Sequence, residues 1–419
     1  MICMKYRVLA IVLILFSAYS CSPRDGAVSI VEVNGTEVFV ASLNGLSSNV
    51  ATIPLSSLVE SLEVVQLEDH DDAFFIPWFT TVTENYIGVR QREGRPYLLF
   101  SRSGQFLGNI GRVGQGPGEY PRTLYDDIID DKNGLIYLVP TIGNILVYNT
   151  AGVFLREMAA SERLIRPKLF LSDDVLAILH MSFSEDSPMG FQIANPVTET
   201  YVVDVASGEV SFESLEIETR TPHRGQILST LATPAHFVVW CFSGEIFNTR
   251  NVQGVFDFTR TGVDTMFHFD MQNNRIVPVF TMTSEVGIWK NYLQINRDLI
   301  MTTVSDFDSQ RGHFVRRSSG RELILTDLRN LTSSYVNIVN DFFGNLPIQA
   351  FVWTFRNGYF VWNVQPEDLM DQIENRLAER NVSQSDRQQL ETLLSRLVED
   401  TNNVVFIGRL RDGIEGRLW

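Results

Sequence analysis

The chain has 419 residues and a formal net charge of −16, with 50 acidic side chains against 34 lysines and arginines. A surface this acidic argues against nucleic acid and against anionic lipid headgroups as partners. Cys3 and Cys21 lie close to the start and Cys241 lies in an apolar run, so no disulfide framework is expected.

The start of the chain has the pattern of a bacterial lipoprotein signal peptide over residues 1–20. Lys5 and Arg7 precede an apolar run at 9–16 that is too short to span a bilayer, and small residues then lead to Cys21. We expect Cys21 to carry the lipid, because a lipoprotein signal requires a cysteine at the first mature position. This predicts a membrane-anchored lipoprotein, periplasmic or at the cell surface, with the outer membrane as the expected site. The alternative is an ordinary secretory signal followed by a chance cysteine.

A repeated strand pattern begins after a predicted linker with short strands at 21–52. Residues 86–111 and 137–158 each contain a strand, a polar turn, an aromatic-rich strand and a turn that ends in glycine. Weaker copies surround Gly208 and Gly262. Period-2 alternation with β-branched and aromatic residues predicts strands. Hairpins that recur about every 50 residues are typical of the four-stranded blades of a β-propeller.

The end of the chain predicts how such a ring would close. Asn357-Gly358 forms the tip of a hairpin at 353–362, which is a strong local hairpin signal. Residues 62–67 and 403–410 are predicted to pair in one sheet, because an open ring leaves unpaired strand edges. The predicted fold class is therefore all-β, with a six-bladed β-propeller over residues 53–419.

A helical hairpin is predicted as an insertion at 366–399 within the last blade. Its first helix has an apolar face, and its second is predicted to begin at a capping box from Ser385 to Gln388. Two interpretations stay open for this hairpin. It either packs on the side of the propeller or provides a docking surface for another protein.

Several short motifs resemble a known family. They are Ile53-Pro54-Leu55, the hairpin at 100–104, Gly-Gln-Gly-Pro-Gly-Glu-Tyr at 114–120 and the turn pattern at 131–137. Together they resemble the six-bladed β-propeller lipoproteins of Gram-negative gut and oral bacteria, a family without a settled biochemical function. The strand pattern around Gly134 also looks like NHL-type repeats. The resemblance runs from about residue 50 to the end of the chain and implies a membrane-anchored propeller, although the family usually has proline where this chain has Asn403.

The glycine-rich stretch GRVGQGPGEY at 111–120 raises the question of a phosphate cradle. A dinucleotide site needs a helix after its glycines, and no helical pattern follows Pro121. A P-loop needs Gly-Lys-Ser/Thr, which this stretch lacks. We therefore predict a connection between two sheets that crosses one face of the ring.

Five residues are candidates for a ligand-binding face. Arg112, Glu119 and Tyr120 lie in or beside the glycine-rich connection. Trp78 and Phe79 lie near the first inner strand, where they would line a channel mouth suited to sugars or apolar groups. Core packing is the alternative for the two aromatic residues.

The sequence contains no recognisable catalytic or metal-binding constellation. None of the six histidines has metal-ligand spacing, and the common zinc and serine-hydrolase motifs are missing. Asp126, Asp127, Asp130 and Asp131 suggest calcium but lack the EF-hand pattern, so a turn at Asn133-Gly134 is favoured. No cofactor is expected, with calcium as the alternative.

These features predict a monomeric, membrane-anchored binding or scaffold protein that engages a protein, peptide or glycan outside the cytoplasm. Two alternatives remain from the sequence. One is a hydrolase or lyase of the lactonase or sugar-lyase type, with a metal in the central channel. The other is a structural accessory of an outer-membrane transport complex.

Overall fold

The structure is a computed structural model and is mostly β. The described residues are 26–418 except for gaps at 34, 76, 92–93, 122, 141–142, 159–167, 173–174, 181–189, 195–200, 207–226, 233–235, 242–264, 271–274, 286–287, 309–312, 317–320, 349–352 and 414–417.

The described chain begins with four strands that end up in three different sheets. They are β1 (Ser29–Val33), β2 (Thr36–Ser42), β3 (Val50–Pro54) and β4 (Val59–Gln66). Short 3-10 turns at Leu43–Gly45 and Leu55–Ser57 separate them.

Three antiparallel four-stranded sheets follow in chain order. Sheet 1 contains β5 (Pro77–Val82), β6 (Tyr86–Gln91), β7 (Tyr97–Ser101) and β8 (Phe106–Ile110). The two-residue strands β9 (Arg112–Val113) and β10 (Glu119–Tyr120) pair with each other after it. Sheet 2 contains β11 (Leu124–Asp130), β12 (Leu135–Pro140), β13 (Ile145–Asn149) and β14 (Phe154–Met158). Sheet 3 contains β15 (Lys168–Ser172), β16 (Val175–His180), β17 (Gly190–Ala194) and β18 (Tyr201–Ala206).

The remaining three sheets take in strands from the start of the chain. Sheet 4 contains β19 (Ile227–Ala232), β20 (His236–Cys241), β21 (Thr265–Asp270) and β22 (Arg275–Thr283), followed by β2 and β1. Sheet 5 contains β23 (Ile288–Gln294), β24 (Leu299–Asp308), β25 (His313–Arg316), β26 (Leu323–Asp327), β27 (Thr332–Asn340) and β28 (Leu346–Pro347), with β3 beside β27. Sheet 6 contains β29 (Trp353–Arg356), β30 (Tyr359–Val364), β31 (Val404–Leu410) and β4.

The two ends of the chain meet in sheet 6, as the sequence predicts. β31 pairs antiparallel with β4, with Phe406 opposite Val64. Trp362 lies in β30, on the other side of β31, directly opposite Phe406. Its indole stacks on the Phe406 ring, with ring centroids 4.8 Å apart. Burial of both aromatic rings gives the junction of the two chain ends a hydrophobic core of its own.

The predicted hairpin tip is also confirmed. Asn357 and Gly358 have φ angles of 52° and 78°, between β29 and β30. Two successive positive φ angles define the turn that matches the right-handed twist of a two-residue hairpin.

Two strands of the N-terminal segment extend neighbouring sheets in parallel. β2 lies beside β22 with Phe39 opposite Phe280, and β3 lies beside β27 with Ile53 opposite Ile338. Each covers a strand edge that would otherwise present unpaired backbone groups. The sequence predicts short strands here but not their partners, which lie more than two hundred residues away.

The helical hairpin lies between β30 and β31. Helix α1 spans Pro366–Ala378 and α2 spans Gln384–Leu394. Buried side chains from both helices, including Ile373 and Leu390, join the core cluster of sheets 5 and 6. The hairpin is therefore packed against the sheets.

The predicted start of the second helix is wrong by two residues. Ser383 is the N-cap, and its Oγ accepts a hydrogen bond of 3.0 Å from the amide of Asp386. Ser383 has extended backbone angles, as an N-cap requires, whereas Ser385 already lies inside the helix.

Replacing Gly344 by alanine is expected to loosen the helical hairpin. A Cβ there would lie 2.5 Å from Leu390 Cγ and 2.8 Å from the carbonyl oxygen of Asp386. Arg380 is exposed in the α1–α2 connection, and we expect trypsin to cleave after it faster in the variant. Mass spectrometry of the digest measures the rate of this cleavage. The matched control is Gly94→Ala, since Gly94 also has a positive φ of 74° but nothing within 4 Å of the added Cβ. Equal cleavage of the two variants would contradict this packing.

Candidate binding face

Strand direction assigns the loops of each sheet to one of two faces. In sheet 1, the first residues of β5 and β7 lie at the same end of the sheet as the last residues of β6 and β8. The helical hairpin follows β30 and leaves sheet 6 at the corresponding end. The amide of Asn402, beside the hairpin, donates to Asp69 Oδ1 in the connection before β5 at 2.6 Å. We call this end the cleft face.

The opposite end of the sheets carries short turns, and we call it the turn face. The turn that follows β5 and the turn that follows β11 are joined there by the carboxylate of Asp131. Its two oxygens accept from Thr83 Oγ1 at 2.9 Å and from the amide of Asn85 at 3.1 Å.

A cleft of about 270 Å³ opens on the cleft face where sheets 1 and 6 meet. Two phenylalanines contribute its apolar surface, with Phe74 45% exposed and Phe75 only 5% exposed. One ring is therefore offered to solvent, and the other is part of the core. Arg95 and Glu367 are exposed lining residues of opposite charge.

The wall of the cleft is fixed by two asparagines immediately before β31, Asn402 and Asn403. The Asn402 side-chain amide donates to the carbonyl oxygens of Glu68 and Ala73 at 2.9 and 3.0 Å. Asn403 lines the cleft and donates to Asn363 Oδ1 at 2.7 Å. These bonds fix the connection before β5 against sheet 6, so the cleft is preformed.

The glycine-rich connection also lies on the cleft face, between sheets 1 and 2. β9 and β10 pair in parallel, and Glu119 turns back into the loop they enclose. One Glu119 oxygen accepts from the Gly116 amide at 2.8 Å, and the other pairs with Arg112 Nε at 2.5 Å. The Glu119 carboxylate thus occupies the Gly116 amide, and a phosphate cradle would need such a backbone amide to bind its ligand. The predicted role as a connection is confirmed by its place between β8 and β11.

Gly118 clamps this connection to sheet 2. It has a φ of 71°, and a Cβ there would lie 2.6 Å from the ring of Phe154. The Tyr148 hydroxyl donates to the Gly118 carbonyl oxygen at 2.5 Å. Burial, with a smaller effect of the nearby acidic groups, raises the pKa of Tyr148 to about 12, so it stays a hydrogen-bond donor.

The structure separates the three candidates of this connection. The Arg112 side chain is 79% exposed and remains accessible on the cleft face. Glu119 is occupied by its loop contacts. Tyr120 is fully buried, and its hydroxyl accepts from the Tyr97 amide at 2.8 Å. Burial raises the pKa of Tyr120, and its side chain does not reach the surface, which removes it from the ligand-face candidates.

The two aromatic candidates lie in β5. Phe79 is 39% exposed, and the guanidinium carbon of Arg90 lies 4.5 Å from its ring centroid, which is a cation–π geometry. The Trp78 side chain lies outside the described part of the structure. Phe79 is thus partly accessible, and it covers a buried charge.

That buried charge belongs to an ionic cluster that joins three sheets. Arg90 Nε lies 3.4 Å from Asp127 Oδ1. Arg356, at the end of β29 in sheet 6, reaches Thr81 Oγ1 in sheet 1 at 3.4 Å and Asp126 Oδ1 in sheet 2 at 3.1 Å. We call these two arginines and two aspartates the ionic cluster.

Protein side chains neutralise the ionic cluster internally. Burial lowers the pKa of Arg90 despite both aspartates. Burial also acts against the charge of Arg356, but Asp126 and Asp127 outweigh it and raise its pKa. The Tyr97 hydroxyl donates to Asp127 Oδ2 at 3.0 Å, and its pKa is raised well above the ordinary value, chiefly by burial. The cluster therefore serves to hold sheets 6, 1 and 2 together.

The four aspartates considered for calcium have separate protein partners. Asp126 and Asp127 belong to the ionic cluster. Asp130 accepts from the amide and side chain of Asn133 at 3.1 and 2.7 Å, and Asp131 joins two turns as described above. Among the residues that the structure describes, no group of three or more His, Cys, Asp or Glu side chains is arranged to hold a metal ion.

Protonation of Glu119 is expected to release the Gly116 amide. The pKa of Glu119 is lowered, first by the bond from Gly116 and then by Arg112. A lowered folded-state pKa means that this bond stabilises the loop above the ordinary Glu pKa of about 4.3 and is lost as the pH falls through the folded-state value. The amide shift of Gly116, followed by NMR between pH 6 and 3, should titrate with a midpoint below that of unfolded Glu. It should not titrate in Glu119→Gln, and a midpoint at or above the ordinary value contradicts the geometry.

The proposed lipid site Cys21 lies outside the described residues, as do any contacts of the signal. Within the described part of the chain, neither helix has the length and apolar character needed to cross a bilayer.

Comparison with known proteins identifies a family. The profile of a family described as a domain of unknown function, DUF4934, matches residues 38–409. No curated protein matches the chain.

Solved structures give only distant similarities. A protein of Bacteroides fragilis NCTC 9343, assigned as exported, aligns with 15% identity over 87% of this chain and 100% of that one, with a TM-score of 0.49. The computationally designed Ika8 protein aligns with 11% identity over 72% and 96%, with a TM-score of 0.31. A chain of the mitotic checkpoint complex aligns with 10% identity over 80% and 93%, with a TM-score of 0.33.

Proposed function

We propose, for a chain that belongs to the DUF4934 family, a closed six-bladed β-propeller that binds a partner through its cleft face. Six successive sheets support the ring. The first strands β5, β11, β15, β19 and β23 contact one another in that order, and β30 of sheet 6 contacts β5. Pairing of β4 with β31 supports closure of the last blade by both chain ends. In the proposed propeller, the strands on either side of Gly134 form an NHL-like repeat.

The cleft between sheets 1 and 6 carries the proposal of binding. It is preformed, it exposes the ring of Phe74, and it offers a cation and an anion on the same rim. Of a protein, a peptide or a glycan, a short peptide segment fits best, because it supplies an apolar side chain together with groups of both charges. A neutral glycan would leave Arg95 and Glu367 without charged partners.

Membrane anchoring through Cys21 completes the proposed function. The short apolar run followed by small residues and Cys21 supports it. A lipid-anchored, extracytoplasmic protein with a rigid ring would present its cleft to soluble partners as a monomer. Mass spectrometry of the protein purified from membranes tests this, with diacylation of Cys21 expected and an unmodified Cys21 contradicting it.

Binding is tested with the full chain against a peptide library and a glycan array. We expect peptides with an aromatic residue next to charged groups to bind the wild type, and Phe74→Ala and Arg95→Ala to weaken binding by about tenfold or more. Val153→Ala is the matched control, since Val153 is 55% exposed but lies in the turn between β13 and β14 of sheet 2 and does not line the cleft. Binding of glycans alone would overturn the peptide assignment, and equal loss in all three variants would overturn the cleft.

A further inference from the structure

The cleft between sheets 1 and 6 contains the beginning of helix α1. Gln365, Pro366 and Glu367 are consecutive residues that line the cleft. They are the N-cap and the first two residues of this 13-residue helix. Amide N–H groups of a first helical turn have no acceptor within the helix, and they point out of its N-terminus. The positive end of α1 therefore lies at the cleft.

The N-terminus of α1 has no side-chain cap. Gln365 is at the N-cap position with φ −70° and ψ 142°, but its side chain makes no cap hydrogen bond. The N-cap of α2, Ser383, has similar backbone angles, and its hydroxyl accepts from a first-turn amide. The amides of Glu367 and Asp368 thus have no hydrogen-bond partner among the residues that the structure describes. These two donors are left for a ligand.

A deeply buried acceptor opens on the same cleft. Asn403 lines the cleft although it is only 4% exposed. Its Nδ2 donates to Asn363 Oδ1, and Asn363 Nδ2 donates in turn to Thr80 Oγ1 at 2.9 Å. This chain of bonds orients the Asn403 amide. Its Oδ1 accepts from no described residue and stays open to the cleft, so a ligand N–H can satisfy it.

These groups match the three features of the last residue of a peptide. The free amides of α1 and the exposed guanidinium of Arg95 are donors suited to a carboxylate. Asn403 Oδ1 is an acceptor suited to a backbone N–H. The exposed ring of Phe74 offers a contact for an apolar side chain. A residue within a peptide has a neutral carbonyl in place of the carboxylate, and it would use the donors less well.

We propose that the cleft binds the C-terminal residue of a peptide through its free carboxylate. The carboxylate accepts from the first-turn amides of α1 and from Arg95. The backbone N–H of the same residue donates to Asn403 Oδ1, and its side chain packs on Phe74. Glu367 remains for a basic group further along the peptide. This inference rests on peptide binding at the cleft in the proposed function, and it narrows that function to chains with a free carboxyl end.

Matched peptide libraries test the inference on the full chain. The same sequences are synthesised with a free C-terminal carboxylate and with a C-terminal amide, and a third set has an amide end after a final Asp or Glu. We expect the free acids to bind about tenfold or more tightly than their amides, as loss of a hydrogen bond to a charged group implies. Methylation of the last backbone nitrogen should weaken the best binder by a similar factor.

The library outcomes separate this inference from the function on which it rests. Equal binding of acids and amides would overturn carboxylate recognition and leave peptide binding intact. Binding of the third set as tight as that of the free acids would assign the site to an acidic side chain and overturn the C-terminal specificity. A library without binders in any set would remove the proposed function and this inference together.

Two substitutions at Gln365 test the role of the helix end. A serine at the N-cap accepts from the first-turn amides, as Ser383 does in α2. Gln365→Ser should therefore abolish the preference for free acids, while it melts at or above the temperature of the wild type. Gln365→Ala removes the same side chain without adding a cap, and it should retain the preference. A folded Gln365→Ser variant with an unchanged preference would overturn the assignment.

Discussion

Replacing Asp127 by alanine is expected to lower the free energy of unfolding by about 3–5 kcal/mol. Asp127 accepts from Tyr97 and lies within salt-bridge distance of both Arg90 and Arg356. Without it, two guanidinium groups face the single carboxylate of Asp126. Removing one member of a buried ionic group is costly because the remaining charge has already lost its hydration. Urea denaturation followed by tryptophan fluorescence measures the effect.

The matched control for Asp127 is an exposed ion pair. Arg409 and Glu84 lie 3.1 Å apart with side chains 55% and 70% exposed, so Arg409→Ala should change stability by about 1 kcal/mol or less. A loss of similar size in the two variants would contradict the role of the ionic cluster. The members of the ionic cluster act as a unit. The double variant Arg90→Met with Asp127→Ala should therefore lose less free energy of unfolding than the sum of the losses in the two single variants.

Replacing Trp362 by alanine is expected to destabilise the protein by about 3–5 kcal/mol. Its side chain is 1% exposed and stacks on Phe406 in the neighbouring strand β31. The variant loses buried apolar area and leaves a cavity in sheet 6, where the two chain ends meet. Thermal denaturation measures the change.

Two controls distinguish a specific role of Trp362 from general sensitivity. Trp362→Phe keeps a ring against Phe406 and should cost clearly less than the alanine variant. Val398 is 61% exposed near the end of the helical hairpin, so Val398→Ala should leave stability almost unchanged. An alanine variant at 362 that melts like the wild type would show that this junction does not support the fold.

Features with a strong local signal could be predicted from the sequence. The Asn357-Gly358 turn is specified by residues that accept positive φ, and the structure has both angles. The pairing of β4 with β31 follows from the need to pair edges at both chain ends, and the structure has it. The two helices follow from their apolar faces. Ser383 shows the limit, because a cap two residues earlier has the same local chemistry as the predicted one.

Features that depend on distant partners could not be predicted. β2 and β3 have ordinary strand sequences, and nothing local specifies their parallel addition to β22 and β27. The ionic cluster draws Arg90, Asp127 and Arg356 from three sheets, although an arginine in an otherwise apolar strand was a usable signal. Tyr120 has an amphipathic side chain, and only the packing of sheets 1 and 2 decides that it is buried.

Closure of sheet 6 is tested most directly by a disulfide between its first and last strands. Ser61 in β4 and Arg409 in β31 are direct cross-strand partners and both are exposed. In a Cys241→Ser background, Ser61→Cys with Arg409→Cys should form an intramolecular disulfide in the native protein, detected by mass spectrometry of the digested chain. The diagonal pair Glu63→Cys with Arg409→Cys should link far less. No native crosslink in the first pair, or equal linking in both, would contradict a sheet closed by the two ends of the chain.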